Sequence, residues 1–202
     1  MYCVIVNNKK SHTTREIWRE HIMKVVAIVG SIREDSFNLK LAKHVQARYA
    51  DKFELEILDL KPIPMYNQDI ELDAPQEVLD IKAKVKAADA VLWVTPEYNS
   101  TIPGVLGNAI DWMSRVDKVM NGKPSMIMGA SMGVLGTVKA QMHLRDILFA
   151  SGLNSPLLPM NEVYVGAAHT KFNDSGELTD KSTIEFIDIV IANFQEWMKN
   201  YL

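Results

Sequence analysis

Residues 31–38 gather four side chains that can bind an anion: Ser31, Arg33, Ser36 and Asn38. They follow an apolar run at 25–29 and precede a helical pattern that starts at Leu39. Such a run reads as a strand buried on both faces, as in a parallel sheet. Gly30 ends it. A strand, a polar loop and a helix start then aim free backbone N–H groups and the positive end of the helix dipole at one spot. Hydroxyls, a carboxamide and a guanidinium add donors and fixed charge there. This chemistry suits a phosphate. The glycine spacing does not match a dinucleotide fingerprint and no G-K-[ST] is present, so the expected group is a terminal monophosphate. Ser36 or Asn38 acting only as a helix cap is the plainer alternative.

Two more polar loops follow apolar runs. Pro96, Glu97, Tyr98, Asn99 and Ser100 come after the run at 90–95 and lead to Pro103-Gly104. Gly129-Ala130-Ser131-Met132-Gly133 comes after the run at 125–128. The second matches G-x-S-x-G, and Asp146 and His169 follow in the order acid then histidine, so a serine hydrolase is a rival reading. Asp146 lies within a helical pattern, however, and a hydrolase leaves the loop at Ser31 without a purpose. His44, His143 and His169 stand singly, without metal-ligand spacing, and no metal site is expected.

The elements that must position these loops are legible from periodicity. Helical spacing covers 39–50, alternation at 53–58 marks an edge strand, and a long connection spans 59–74. Asp73 with Pro75 reads as the start of a helix buried through Val78, Ile81, Val85 and Ala88. Another helix carries Val105, Leu106, Ala109, Ile110 and Met113, and another covers 136–149. A last strand at 162–165 precedes a turn at 173–176 and a final amphipathic helix, where Ser182 and Glu185 read as a capping box. Trp112, Met113, Met126, Met128 and Met142 read as core or subunit interface. Five strands alternating with five helices give an α/β fold: a doubly wound five-stranded parallel sheet, order 2-1-3-4-5, with helices on both faces. The three polar loops follow strands one, three and four, which are neighbours in that order. They meet at one carboxyl edge.

With 202 residues and a net charge of −3, the chain has room for one full core and lacks the basic balance of a general nucleic-acid or membrane-surface binder. A single cysteine, Cys3, excludes an internal disulfide framework and fits a reducing compartment. No apolar run is long enough to span a membrane, and the start lacks the order of a signal peptide, so a cytoplasmic location is expected. Residues 1–22 differ from the rest and read as an extension outside the fold, either a start assigned too early or an arm that docks on a neighbouring subunit. The domain itself is expected over 23–202.

Together, G-S-I-R-x-x-S-x-N at 30–38, P-E-Y-N-x-x-x-P-G at 96–104 and G-A-S-x-G at 129–133 resemble the NADPH-dependent FMN reductase family, the flavodoxin-like quinone, chromate and azo reductases. The likeness runs from Lys24 to the final helix and includes 108–112 and 177–180. It implies that Ser31, Arg33, Ser36 and Asn38 hold the FMN phosphate, with Ile32 and Phe37 alongside. Pro96, Glu97, Tyr98, Asn99 and Ser100 would line the flavin ring and ribityl chain, and Ser131 would approach from the other side. The implied cycle has two steps: NADPH or NADH reduces the flavin and leaves, then a small-molecule acceptor such as a quinone, azo compound, chromate-type oxyanion or free flavin takes the electrons. No catalytic side chain is implied, because the flavin carries the hydride. The implied partner is another copy, in a homodimer or homotetramer, through the helices after Pro103 and Gly136 and the segment Met65-Tyr66-Asn67-Gln68. A non-enzymatic electron carrier of the flavodoxin type shares the fold, although such carriers are usually strongly acidic and lack an arginine in this loop.

Overall fold

The structure, a computed structural model, describes residues 22–202. The expectation for residues 1–22 therefore lies outside the described residues, apart from Ile22.

Five parallel strands form the sheet: β1 Lys24–Val29, β2 Glu54–Leu58, β3 Ala90–Val94, β4 Ser125–Ala130 and β5 Val163–Val165. Their order is β2-β1-β3-β4-β5, the order expected from the alternation of elements. Central strands β3 and β4 are buried at every position, whereas edge strand β2 exposes Glu54 and Glu56. Alternation of side chains along β1 feeds two cores. Val25, Ala27 and Val29 join one face, which α1 (Phe37–Arg48) covers with Leu41 and Val45 and α5 (Lys181–Met198) covers with Ile187, Ile191 and Phe194. Val26 and Ile28 join the other, under α2 (Gln76–Ala87), α3 (Gly104–Met113) and α4 (Val138–Leu148). Trp112, Met113, Met126 and Met128 are core residues, and Met142 is exposed.

Three local expectations change. Helix α1 begins at Phe37 rather than Leu39, because Ser36 caps it by accepting the Leu39 amide at 3.3 Å. Helix α5 is capped by Asp180, whose carboxylate accepts the Thr183 amide at 3.0 Å, and Ser182 donates to that same carboxylate. The Ser182–Glu185 box is not used, since the stronger acceptor stands earlier in the chain. Asp73 does not cap α2 either: it closes a 3-10 turn, Gln68–Asp73, and α2 starts after Pro75 without a side-chain cap.

The long connection is fastened to α3. The Pro64 carbonyl accepts both the Asn108 amide and the Trp112 indole N–H at 2.9 Å, and Asn108 Oδ1 accepts the Tyr66 amide at 2.7 Å. The Tyr66 ring meets Trp112 edge-on, with 5.0 Å between centroids.

A surface clamp joins α1 to α5. Arg48 holds Asp188 through two bonds of 2.7 and 2.8 Å, and the Tyr49 hydroxyl donates to the same carboxylate at 2.7 Å. The Arg48 hydrogen bond, with help from Tyr49, pulls the Asp188 carboxyl down to about 2. A depressed carboxyl stabilises the fold above its unfolded value, and that contribution disappears as pH falls toward the folded one. Between about pH 4 and about pH 2, Asp188→Asn is therefore expected to lose less stability than the parent. Solvent screening holds the difference to about 1 kcal/mol or less. Urea unfolding midpoints across that window check it, and parallel acid limbs would refute it.

Candidate functional site

Strands β1, β3 and β4 are adjacent, so the loops at their carboxyl ends meet at the switch point between β1 and β3. They enclose an open cleft of about 200 Å³. Of the residues expected there, Ser31, Arg33, Ser36, Phe37, Asn38, Pro96, Glu97, Tyr98 and Ser131 line it. Ala130 and Met132 complete the walls. Ile32, Asn99 and Ser100 do not. Ile32 turns to a neighbouring cleft against 57–61, and Asn99 and Ser100 form the tip of a hairpin. A larger groove of about 680 Å³ runs along α1, away from the carboxyl edge. Of the cations that line it, Lys40 and Arg48 are already held by Asp35 and Asp188.

The floor of the cleft is the start of α1. The Ser36 side chain caps the helix, and the first amides, those of Phe37 and Asn38, have no acceptor within the helix. Arg33 stands at the rim beside Asp35, 3.3 Å away, and Lys40 reaches the same carboxylate at 2.5 Å. Lys40, then Arg33, hold the Asp35 carboxyl below its ordinary value. The Phe37 ring leans on Phe172, 5.6 Å between centroids, a contact from far along the chain that periodicity did not reveal.

Asn38 serves differently from the expectation. Its amide is spent on the backbone of Ala130: Oδ1 accepts the Ala130 N–H and Nδ2 donates to the Ala130 carbonyl, both at 2.9 Å. Strand β3 has left the sheet at Pro96, and its register with β4 ends at Val94↔Met128. Asn38 stands in for the missing strand neighbour, which commits its carbonyl oxygen and one of its two amide hydrogens to the backbone.

The second loop is a two-residue hairpin. Tyr98 and Thr101 exchange backbone hydrogen bonds of 3.0 Å, and Asn99 and Ser100 have φ of 52° and 63°. Positive φ at both central positions is the type I′ turn, which asparagine tolerates better than serine does. Tyr98 is thereby held half-exposed over the cleft. The Glu97 carboxylate, expected at the ligand, instead accepts the Lys139 and Ala140 amides at 2.9 and 3.1 Å.

Ser131 makes no nucleophile. Its hydroxyl donates to the Gly136 carbonyl at 2.7 Å, no histidine is hydrogen-bonded to it, and Asp146 lies inside α4. His143 is engaged with Thr101. The first glycine of this motif serves packing: a Cβ on Gly129 would come 2.1 Å from Thr137 Oγ1 and 2.2 Å from the Thr95 carbonyl. The hydrolase reading therefore fails on geometry. Among the described residues, no cluster of three or more candidate metal ligands occurs.

A doubly wound parallel sheet with a phosphate-type loop at its switch point defines the flavodoxin-like class. Within it, residues 23–170 match the model of the NADPH-dependent FMN reductase family. A 2-hydroxy-1,4-benzoquinone reductase of a Burkholderia species is 34% identical over 180 residues, covering 88% of this chain and 97% of that protein. A quinone reductase of Pseudomonas putida is 37% identical over 181 residues, covering 88% and 96%. The solved structure of FerB, a flavoenzyme NAD(P)H:(acceptor) oxidoreductase from Paracoccus denitrificans, superposes with a TM-score of 0.80 at 35% identity, covering 89% of this chain and 99% of that one. The chain belongs to the NADPH-dependent FMN reductase family: it is an oxidoreductase with FMN as cofactor and NAD(P)H as electron donor.

Proposed function

We propose that the cleft between β1, β3 and β4 holds FMN and that the enzyme passes electrons from NAD(P)H to quinones or related acceptors. The observation that carries this reading is the start of α1. A serine cap, two open amides and Arg33 converge there on a space suited to a monophosphate, beside the wall made by Tyr98 and Met132. Those donors fit the phosphate of FMN, and the half-exposed apolar wall fits a planar ring. Residues 23–202 make up the reductase unit in this reading.

Ser31, Ser36, Arg33 and the Phe37 and Asn38 amides would hold the phosphate, and Pro96, Tyr98 and Ser131 would border the rest of the cofactor. Asn38 and Glu97 act through the backbone they fasten. Bound FMN supplies the hydride and electron chemistry. The protein's own share is binding, orientation and exclusion of water, and no side chain has to move a proton. Donor and acceptor use the same open side of the cleft in turn, which makes the cycle ping-pong. Azo compounds, chromate-type oxyanions and free flavin fit the same exposed site. A cytoplasmic location agrees with the need for NAD(P)H and with a single cysteine. Among the described residues no helix is long and apolar enough to cross a membrane.

The cleft is shallow for a cofactor of this size, since ligand pockets usually span about 300–1,000 Å³. Its rim exposes Met132, and the same loop exposes Val134 and Leu135, while Met65 and Leu72 are exposed on the long connection. A homodimer or homotetramer that closes the cleft and covers these residues is the assembly we propose. Light scattering giving a monomer at working concentration would remove it.

Visible absorption of the purified protein, before and after anaerobic NADPH, tests the reading. A yellow flavin spectrum that bleaches is expected. A flavin spectrum that persists would make the protein a carrier, and a protein that takes up no FMN would overturn the assignment.

A further inference from the structure

From the bonds around Glu97 we infer that it is the positioning residue of the flavin site: it fixes the hairpin over the cleft by capping α4, a helix that the hairpin does not lead into. The inference rests on the reading of the cleft as the FMN site.

Helix α4 lacks a cap of its own. Thr137 stands at the cap position but makes no side-chain bond to the helix amides; it is fully buried, and its hydroxyl accepts Gln141 Nε2 at 3.0 Å. The open amides near the helix start, those of Lys139 and Ala140, both go to one oxygen of Glu97, which comes from the loop after β3. A carboxylate there meets both the unsatisfied donors and the positive end of the dipole, so the attachment is stronger than an ordinary loop contact. Two further bonds join the same hairpin to the same helix. Lys139 Nζ donates to Ser100 Oγ at 3.2 Å, and Thr101 Oγ1 is hydrogen-bonded to His143 Nδ1. Lys139 and His143 lie one turn apart and so share one face of the helix.

The consequence is geometric. Tyr98 sits between Glu97 and the strained turn at Asn99 and Ser100, both at positive φ. A turn that two non-glycine residues resist needs an outside hold. Glu97 holds one end through α4, and Thr101 holds the other through His143. The height of Tyr98 over the cleft is therefore set by α4, and Glu97 acts on the flavin through the hairpin rather than by contact.

The test compares Glu97→Ala and Glu97→Gln with the parent, each as apoprotein titrated with FMN and each as holoenzyme. Four quantities are read: FMN Kd, the shape of the visible flavin band, kcat and KM for NADPH, and the melting temperature of the apoprotein. Glu97→Ala is expected to raise the FMN Kd by about tenfold, the size of a lost cap, and to alter the flavin band. Glu97→Gln keeps an acceptor oxygen and is expected within about threefold of the parent. Thr101→Val leaves the cap intact and loosens only the far end of the hairpin. It is expected to weaken FMN by a smaller factor, and it carries the test if Glu97→Ala does not fold. Unchanged FMN Kd and flavin band in Glu97→Ala, with only the apoprotein melting lower, would reduce Glu97 to a helix cap and overturn the inference. The same holds for parental FMN binding by Thr101→Val if that variant has to stand in. A parent protein that binds no FMN would instead overturn the functional reading, and this inference with it.

Discussion

Asn38→Ala is expected to destabilise the protein by about 3 kcal/mol, more than any other substitution in the lining of the cleft. The residue touches both polar groups of Ala130 at 2.9 Å and is only 3% exposed. Truncation removes two hydrogen bonds and leaves a buried N–H and a buried carbonyl without partners, where β3 has already turned away. In a chain of this size that loss lowers the melting temperature by roughly 6–12 °C. Asn38→Asp separates hydrogen bonding from shape. It keeps the volume and the acceptor, but sets a second oxygen against the Ala130 carbonyl. At neutral pH it is expected to be at least as harmful as alanine, and to improve as the new carboxyl protonates and regains a donor. Because the same bonds fasten the start of α1 to the end of β4, both variants should also bind FMN more weakly. Thermal melts of apoprotein and FMN-loaded protein check this. A shift under about 2 °C for alanine would mean that water or neighbouring donors replace the asparagine.

The second large effect concerns the ligand. Riboflavin, which lacks the phosphate, is expected to bind about a thousandfold more weakly than FMN. The phosphate would gain the helix dipole and several charge-assisted bonds from the amides, serines and Arg33 around the α1 start, together worth about 4 kcal/mol. Arg33 should supply only part of this, since it is exposed and already paired with Asp35. Arg33→Ala is expected to cost about tenfold or less, and Ser36→Ala about as much through its cap and hydroxyl together. Competitive titration of apoprotein with FMN and riboflavin decides the matter. Equal affinities would move the phosphate away from this loop.

Much of this was legible in the chain itself. Apolar runs at 25–29 and 90–95 read as buried strands, and their alternation with amphipathic helices suited a sheet order that brings three polar loops together. The donors and charge of the loop at 31–38 pointed to a phosphate, and the three loop motifs to a flavin reductase. Such features are local, and each follows from periodicity, backbone preference or residue chemistry within a short window. Partners were not local. Whether Asn38 faces a phosphate or Ala130 depends on where β3 leaves the sheet. Whether Glu97 faces a flavin or the amides of α4 depends on how a helix forty residues later is seated. Phe172 beneath Phe37 and Pro64 under Asn108 and Trp112 were equally out of reach. The sequence by itself determined the fold, the edge of the sheet where the polar loops meet and the class of cofactor. Only the tertiary structure decided which polar side chains are left to bind it, because each has a limited number of donors and acceptors and the backbone claims some of them first.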